Sequence, residues 1–491
     1  MQDVRRCPAQ VRELNAAAAL LAGAACLAIA GCSDPAPPPE EPAMRWLAGD
    51  HHVHSRYSVL WDQESDPPEP RIGAHGVYPI ALNALMAKHY GLTWMVTTDH
   101  GGRWHSKLYL EEAYPNLQVA REVVPEVIHY YGLELNPPGG DHASVIFPHT
   151  HDEARRLYEF ESTYDRRNAD PSDPDRNSEA RMLEALRSLD ALSDKPVVIA
   201  NHPSRTAADG APYGNYTPEE FRAWNDTAPE VAIGMVGSPG HQAISVNRDG
   251  SLRERGTRGQ YSGVRTRGGF DPMTSILGGL WDSMLGEGRR WWITANSDSH
   301  RHWSDGGPDF WPGEYSKTYV YSRENSADVL EALRSGRIFV ATGGLVSELY
   351  VNAATTGGNV ADIGGTLQFE PGESIVVMIR LRNPAGQNPN GDSPSVRRVD
   401  LIAGDITGPV ADRTQDSNPT TRIVRRFEEG DWTRDGEFIS MTERLDDVGG
   451  SLYLRVRGTN TTELEPQEDT RGEDPWTDLW FYSNPIFVEA N

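Results

Sequence analysis

Five short clusters of histidine and carboxylate stand out in the 491-residue chain. They are Asp50-His51-His52-Val53-His54, Asp99-His100, Glu134 followed by Asp141-His142, His202, and Asp298-Ser299-His300. Imidazole nitrogen and carboxylate oxygen, without thiolate, suit zinc, manganese or iron. Alternate residues of a strand point the same way, so His52 and His54 can grip one ion together. Glu134 has two oxygens and can bridge two ions. Any single piece is weak, because in a chain with 15 histidines one His-x-His is about an even chance. A lone histidine at a strand end is more often a hydrogen-bonded structural residue than a ligand. The order and placement of the clusters carry the argument.

The elements that must position them alternate. Strand-like runs fall at 45–54, 92–100, 127–136, 143–148, 196–202, 231–236 and 291–296. Helix-like runs fall at 78–90, 108–124, 178–193, 217–224 and 273–285. Thr217 followed by Pro218 and Glu219-Glu220 makes a good helix start. The alternation predicts a parallel α/β barrel, whose catalytic groups sit at the C-terminal ends of strands. Most of the histidine clusters close such runs. After Gly344 the helical periodicity disappears. Strand-like runs at 374–382, 398–403, 422–427, 452–458 and 479–489 are separated by Gly, Asn, Asp and Pro turns, which predicts a β-sandwich over 345–491.

The first 31 residues look like a lipoprotein signal peptide. Arg5, Arg6 and Arg12 precede a small-residue apolar run, which ends in Ile29-Ala30-Gly31-Cys32. Cys32 is the expected lipidation site, and Pro-rich 32–44 is a spacer. Ser33 in place of aspartate favours the outer membrane, so the expected place is the periplasm or cell surface, anchored by lipid only. Two cysteines lie in this leader and the third is Cys32, leaving 45–344 and 345–491 without disulfide or thiolate chemistry. The net charge of −25 argues against a nucleic-acid partner and for a small substrate gripped locally.

The series HxH, DH, E, H, H, DxH resembles the PHP (polymerase and histidinol phosphatase) superfamily of metallohydrolases. The resemblance implies a distorted (β/α)7 barrel over 45–344 holding two divalent ions, or three. His52, His54, Glu134 and Asp298 would hold the first, and Glu134, His142 and His202 the second. His100 and His300 match ligands of a third ion, and Asp99 a carboxylate that orients ligands. One departure matters: Val59 and Leu60 stand where many relatives carry a further ligand. His51, Asp62, His75 and His105 are the substitutes at hand. Without a third ion, His300 or His100 is free to act as a proton donor. The stretches 316–344 and 484–488 resemble one branch of the superfamily, which includes carbaryl hydrolase and carries a C-terminal β-domain.

The chemistry that follows is hydrolysis. Ions sharing Glu134 lower the pKa of a bridging water and supply hydroxide, and Arg103, Arg205 or Arg301 can clamp a phosphate oxygen. The leading expectation is a phosphoesterase acting on small mono- or diesters. A carbamate, carboxylic-ester or amide hydrolase is the second, and a binding lipoprotein with a structural metal the third. For the leader, Cys32→Ala is expected to leave a soluble or unprocessed protein. Detergent partitioning checks this, and equal aqueous partitioning of wild type and variant would rule lipidation out.

Overall fold

The computed structural model describes residues 43–491, so the leader, Cys32 and most of the Pro-rich spacer lie outside the described residues. The first strand, β1 (Arg45–Val53), is buried from Leu47 onward. Burial on both faces is what a strand covered by neighbours and helices requires. Eight more strands follow: β2 (Trp94–Thr97), β3 (Ile128–Leu135), β4 (His142–Ile146), β5 (Val197–Asn201), β6 (Ala232–Ser238), β7 (Trp292–Ala295), β8 (Ser316–Ser322) and β9 (Ile338–Thr342). They lie in the order β9-β8-β1-β2-β3-β4-β5-β6-β7 within one large sheet. Past β7, a parallel bridge joins Ser299 to Val53, and His54 N–H donates to Ser299 O at 3.0 Å.

The sheet is mixed where the sequence pattern suggests parallel strands. The β1–β2, β2–β3, β5–β6 and β6–β7 pairs are parallel, but β4 runs antiparallel to both β3 and β5. The cause is the short Asn136–Asp141 link, Asn-Pro-Pro-Gly-Gly-Asp. A parallel crossover needs about a dozen residues or more, and this link can only turn back. Strands β8 and β9 add antiparallel at the other side of β1.

Helices form where expected at Ile80–His89, Glu179–Asp190 and Pro218–Thr227, the last capped by Thr217 accepting from Glu220 N. Two expected helices are interrupted. The 108–124 run includes a π-helical turn, Tyr109–Ala113, just before Pro115, whose ring and missing N–H disturb a regular ladder. The 273–285 run breaks into Pro272–Ser275 and Leu280–Gly286 around Gly278 and Gly279. Helix Glu153–Tyr164 lies outside the expected runs, and its buried face mixes Ala154, Leu157 and Phe160 with Glu153 and Glu161. Among the described residues no helix is long and apolar enough to cross a membrane.

Beyond Thr342 the chain is all strand. Trp480–Ser483 pairs directly with β9 and extends the large sheet toward Leu452–Thr459 and Ile486–Ala490. The expected 479–489 run is thus two strands, broken at Asn484-Pro485. The Asn484 side chain binds both N and O of Ile293 in β7, at 2.9 and 3.0 Å. A second, five-stranded sheet centres on Glu348–Thr355, Ile375–Arg382 and Phe438–Leu445. Its alternate residues Leu349, Val351, Val377 and Ile379 share a core with Val399, Leu401, Val456 and Phe481 of the large sheet.

A buried ion pair ties helix Leu280–Gly286 to strand Leu452–Thr459. Arg455 donates from Nε and Nη2 to the two Asp282 oxygens at 2.8 and 2.7 Å, both side chains 1% exposed. Arg455→Met leaves this carboxylate with the Tyr453 hydroxyl, the Gly278 N–H and no counter-charge. The expected loss is about 3–5 kcal/mol, read from denaturant midpoints. Asp282→Asn added to it should recover part of the loss.

Candidate metal centre

Glu134, next to last in β3, is 1% exposed and faces five imidazoles. Its Oε1 lies 3.0 Å from His52 Nε2, 2.9 Å from His142 Nδ1 and 3.4 Å from His202 Nε2. Its Oε2 lies 2.6 Å from His100 Nδ1 and 3.4 Å from His54 Nε2. The antiparallel turn before β4 is what brings His142 up to Glu134. Asp298 Oδ1 lies 3.2 Å from His52 Nε2 and 3.1 Å from His54 Nε2, while those two nitrogens are 2.9 Å apart. Lone pairs converging at this distance need a cation between them. The donor set is nitrogen and oxygen only, which fits a divalent ion.

Four groupings emerge around the cavity: His52, His54, Glu134 and Asp298; His100, Glu134 and His142; His54, His100 and His300; and His241, His300 and Asp309. The expected ligands thus lie together, and these buried clusters can hold divalent metals. In the third grouping His100 Nε2 and His300 Nε2 are 3.2 Å apart, and the His54 and His300 rings stack at 3.7 Å. His202 does not join a grouping but contacts Glu134, and its Nδ1 sits 2.9 Å from Asp141.

Neighbouring groups fix the rings. Ser58 Oγ donates to Asp99 Oδ1 at 2.8 Å, so the 2.8 Å contact between Ser58 Oγ and His54 Nδ1 must be donated by the ring. That leaves His54 Nε2 with its lone pair toward the centre. Asp99 also accepts from Ser55 N and Oγ at 2.6 and 2.7 Å. It touches the loop and not the metal-facing atoms, so it orients. Burial raises its pKa, and the Ser55 and Ser58 hydrogen bonds oppose this. Burial works against the charge on Glu134 and Asp298 too, yet both are held well below the usual carboxylate range. His142, His52 and His100 do this for Glu134, and His241 and His52 for Asp298.

The geometry sorts the weaker candidates. Arg205 is half-buried, 3.6 Å from both Asp141 and Asp298. Arg301 lines the same cavity of about 460 Å³, together with His75, His100, His142, His241 and Asp298. Arg103 is exposed over the Trp104 ring, away from that lining. Of the substitutes for a third-site ligand, His75 reaches the cavity and stacks on His100 at 4.8 Å. His51 points between Ser144 and Thr294, burial pushing its pKa down to about 3. His105 packs on Trp61, and Asp62 is exposed.

One member of the first cluster had no role assigned from sequence, and one further group escaped the pattern. Asp50 accepts from His52 N and Ser297 N at 3.0 and 3.1 Å, tying the end of β1 to the segment carrying Asp298. Burial pushes its pKa up to about 6. His241 follows β6 in Ser-Pro-Gly-His and binds Asp298 Oδ2 at 2.9 Å and Asp309 Oδ1 at 2.5 Å. Burial opposes its charge, but the two carboxylates raise its pKa to about 10. Its signal was available: a polar residue just beyond a strand end, as for the other clusters.

No family model matches the chain, and no curated protein does. Among solved structures, one of endonuclease Q in complex with a 27-mer duplex carrying an abasic lesion is similar. It is 14% identical, with a TM-score of 0.29, over 60% of this chain and 56% of that one. This chain therefore spans just over half the length of that protein. The exclusion of nucleic acid drawn from net charge is corrected beside it, since that structure holds a duplex at its active site. Net charge is a property of the whole surface, whereas this cavity has Arg205 and Arg301 in its lining.

Glu134→Gln removes the anion shared by the first two groupings. It is expected to lower the affinity for the ions held there by about 100-fold or more, the upper end for a lost metal-site partner. Metal content per chain after dialysis checks this. Full metal with near-normal turnover would rule out the bridging role.

Proposed function

We propose that the protein is a metal-dependent hydrolase of the PHP type that cleaves small phosphate mono- or diesters. The observation that carries this is Glu134, one buried carboxylate facing five imidazoles beside Asp298, at the wall of an open cavity. A structural metal needs no such opening. In this reading the sheet from β1 to β7 is the distorted barrel, and the strands after Thr342 form its β-sandwich partner. The protein is further proposed to be a lipoprotein in the periplasm or at the cell surface, anchored through Cys32, with the outer membrane favoured.

Divalent ions held here, two or three of manganese, zinc or iron, supply an activated water and polarise the ester oxygen. His52, His54, Glu134 and Asp298 would hold one, and Glu134, His142 and His202 another. Arg205 and Arg301 are placed to bind the anionic part of the substrate. His300 is fixed by its Nδ1 against Asp298 O at 2.9 Å, which turns Nε2 toward His100. His300, with His100 as its alternate, is the proposed proton donor to the leaving group. The resemblance of 316–344 and 484–488 to the carbaryl hydrolase branch supports a second reading, a carbamate or carboxylic-ester hydrolase on the same centre.

A panel of aryl phosphate, aryl phosphodiester and aryl carbamate, with poor-leaving-group alkyl counterparts, separates these readings. Phosphate esters are expected to turn over, chelation to abolish turnover, and the metal-free chain to stay folded. Turnover of carbamates alone would favour the second reading, and no turnover of any would return the protein to a binding role. His300→Asn should slow poor-leaving-group substrates about 100-fold more than activated aryl ones, with metal content unchanged. Loss of one ion would instead make His300 a ligand.

A further inference from the structure

We propose that His241 is a positioning residue of the metal centre, holding Asp298 so that only its Oδ1 faces the ion. The inference rests on the metal reading above and adds a residue that the ligand pattern does not contain. Asp298 divides its two oxygens. Oδ1 faces His52 and His54 Nε2, whereas Oδ2 takes His241 Nε2 at 2.9 Å and the more distant Arg205 Nη1 at 3.6 Å. A carboxylate that is free to rotate can present both oxygens to one ion. With Oδ2 engaged, it presents one.

His241 is itself held at its other nitrogen. Asp309 Oδ1 lies 2.5 Å from Nδ1, while Asp309 Oδ2 accepts the backbone N–H groups of His300 and Arg301 at 2.7 and 2.9 Å. Both ring nitrogens are thus taken up by carboxylate oxygens. His241 also groups with His300 and Asp309 in a set able to hold an ion, a role that the test below tells apart from positioning. The backbone tightens the arrangement. His241 has φ 55° and Asp298 φ 48°, both in the left-handed region that non-glycine residues rarely adopt. A Cβ added at Gly240 would stand 2.2 Å from Asp298 Cβ and 2.2 Å from Ser297 O. The Gly240-His241 turn therefore lies directly on the Ser297-Asp298 turn. The chain Asp309–His241–Asp298 also links the ion to the Arg301–Asp309 loop, whose Gly306, Gly307 and Pro308 line the cavity.

The test is titration of the metal-free full-length chain with cobalt(II), followed by calorimetry and visible absorption, with thermal unfolding as the check on fold. Wild type is expected to take at least two ions. His241→Leu should weaken one of them by about 10- to 100-fold, the range for loss of a group that orients a ligand. The cobalt absorption should fall as Asp298 turns to bind through both oxygens. His241→Gln, whose amide N–H can still donate to Oδ2, should recover part of the affinity and of the spectrum, and it serves alone if the leucine variant does not fold. Wild-type affinity and spectrum in His241→Leu would overturn the proposal, as would a glutamine variant no better than leucine. Loss of a whole equivalent, with the spectrum of a site short of one nitrogen, would overturn it by making His241 a ligand. A wild-type chain that takes up no metal would overturn the hydrolase reading itself, whereas metal uptake indifferent to His241 would leave that reading standing.

Discussion

A negative charge buried at Glu134 is the constraint around which the N-terminal part is built. An isolated carboxylate in a low-dielectric interior costs several kcal/mol even after relaxation. Here the compensation comes from five imidazoles, two within β1 and β4 and three just past the ends of β1, β2 and β5. Protonated rings repel one another, and burial opposes charge on His52, although Asp298 and Glu134 raise its pKa. His54 and His100 are both pushed down, by burial and then for His54 by His300 and His100, while Glu134 pulls His100 the other way. Divalent ions resolve both problems together, since they neutralise the carboxylates and take the lone pairs of neutral rings. The centre is therefore poorly balanced as a purely structural polar core.

Holding so many converging groups requires local irregularity, and the fold supplies it at the site. The β1–β2 ladder shifts register between Asp50 and Val53, where His51 and His52 lie, as a bulge beside an active site does. His202, His241 and Asp298 all have positive φ. One antiparallel strand sits in an otherwise parallel run, and its tight turn carries His142 to Glu134. Each departure is stabilised by neighbours: Asp50 across to Ser297, Asp99 through Ser55 and Ser58, and Asp141 behind His202.

Much of this was legible in the sequence because histidine and carboxylate are rare enough at strand ends to stand out. All seven strand runs of the N-terminal part correspond to strands within a few residues, and the ligand candidates at their ends lie together. Illegible were features set by partners distant in sequence. The direction of β4 depends on the length of a six-residue link. Glu153 and Glu161 join the buried face of a helix outside the expected runs. The arginines show the limit most clearly: Arg103, Arg205 and Arg301 each stand within three residues of a cluster in sequence, yet Arg103 turns away. His241 was missed because it stands alone, without a carboxylate or second histidine beside it.

Asn484 carries a consequence for how the protein comes into being. Its side chain caps both backbone groups of Ile293, two residues before the end of the strand that leads to Asp298. The chain is made from its N-terminus, so every histidine of the centre is synthesised long before the residue that braces this strand. A nascent chain stalled before position 484 holds all the ligands but lacks this brace on the strand beneath Asp298. The C-terminal strands thus act as a late keystone for the strand that leads to Asp298.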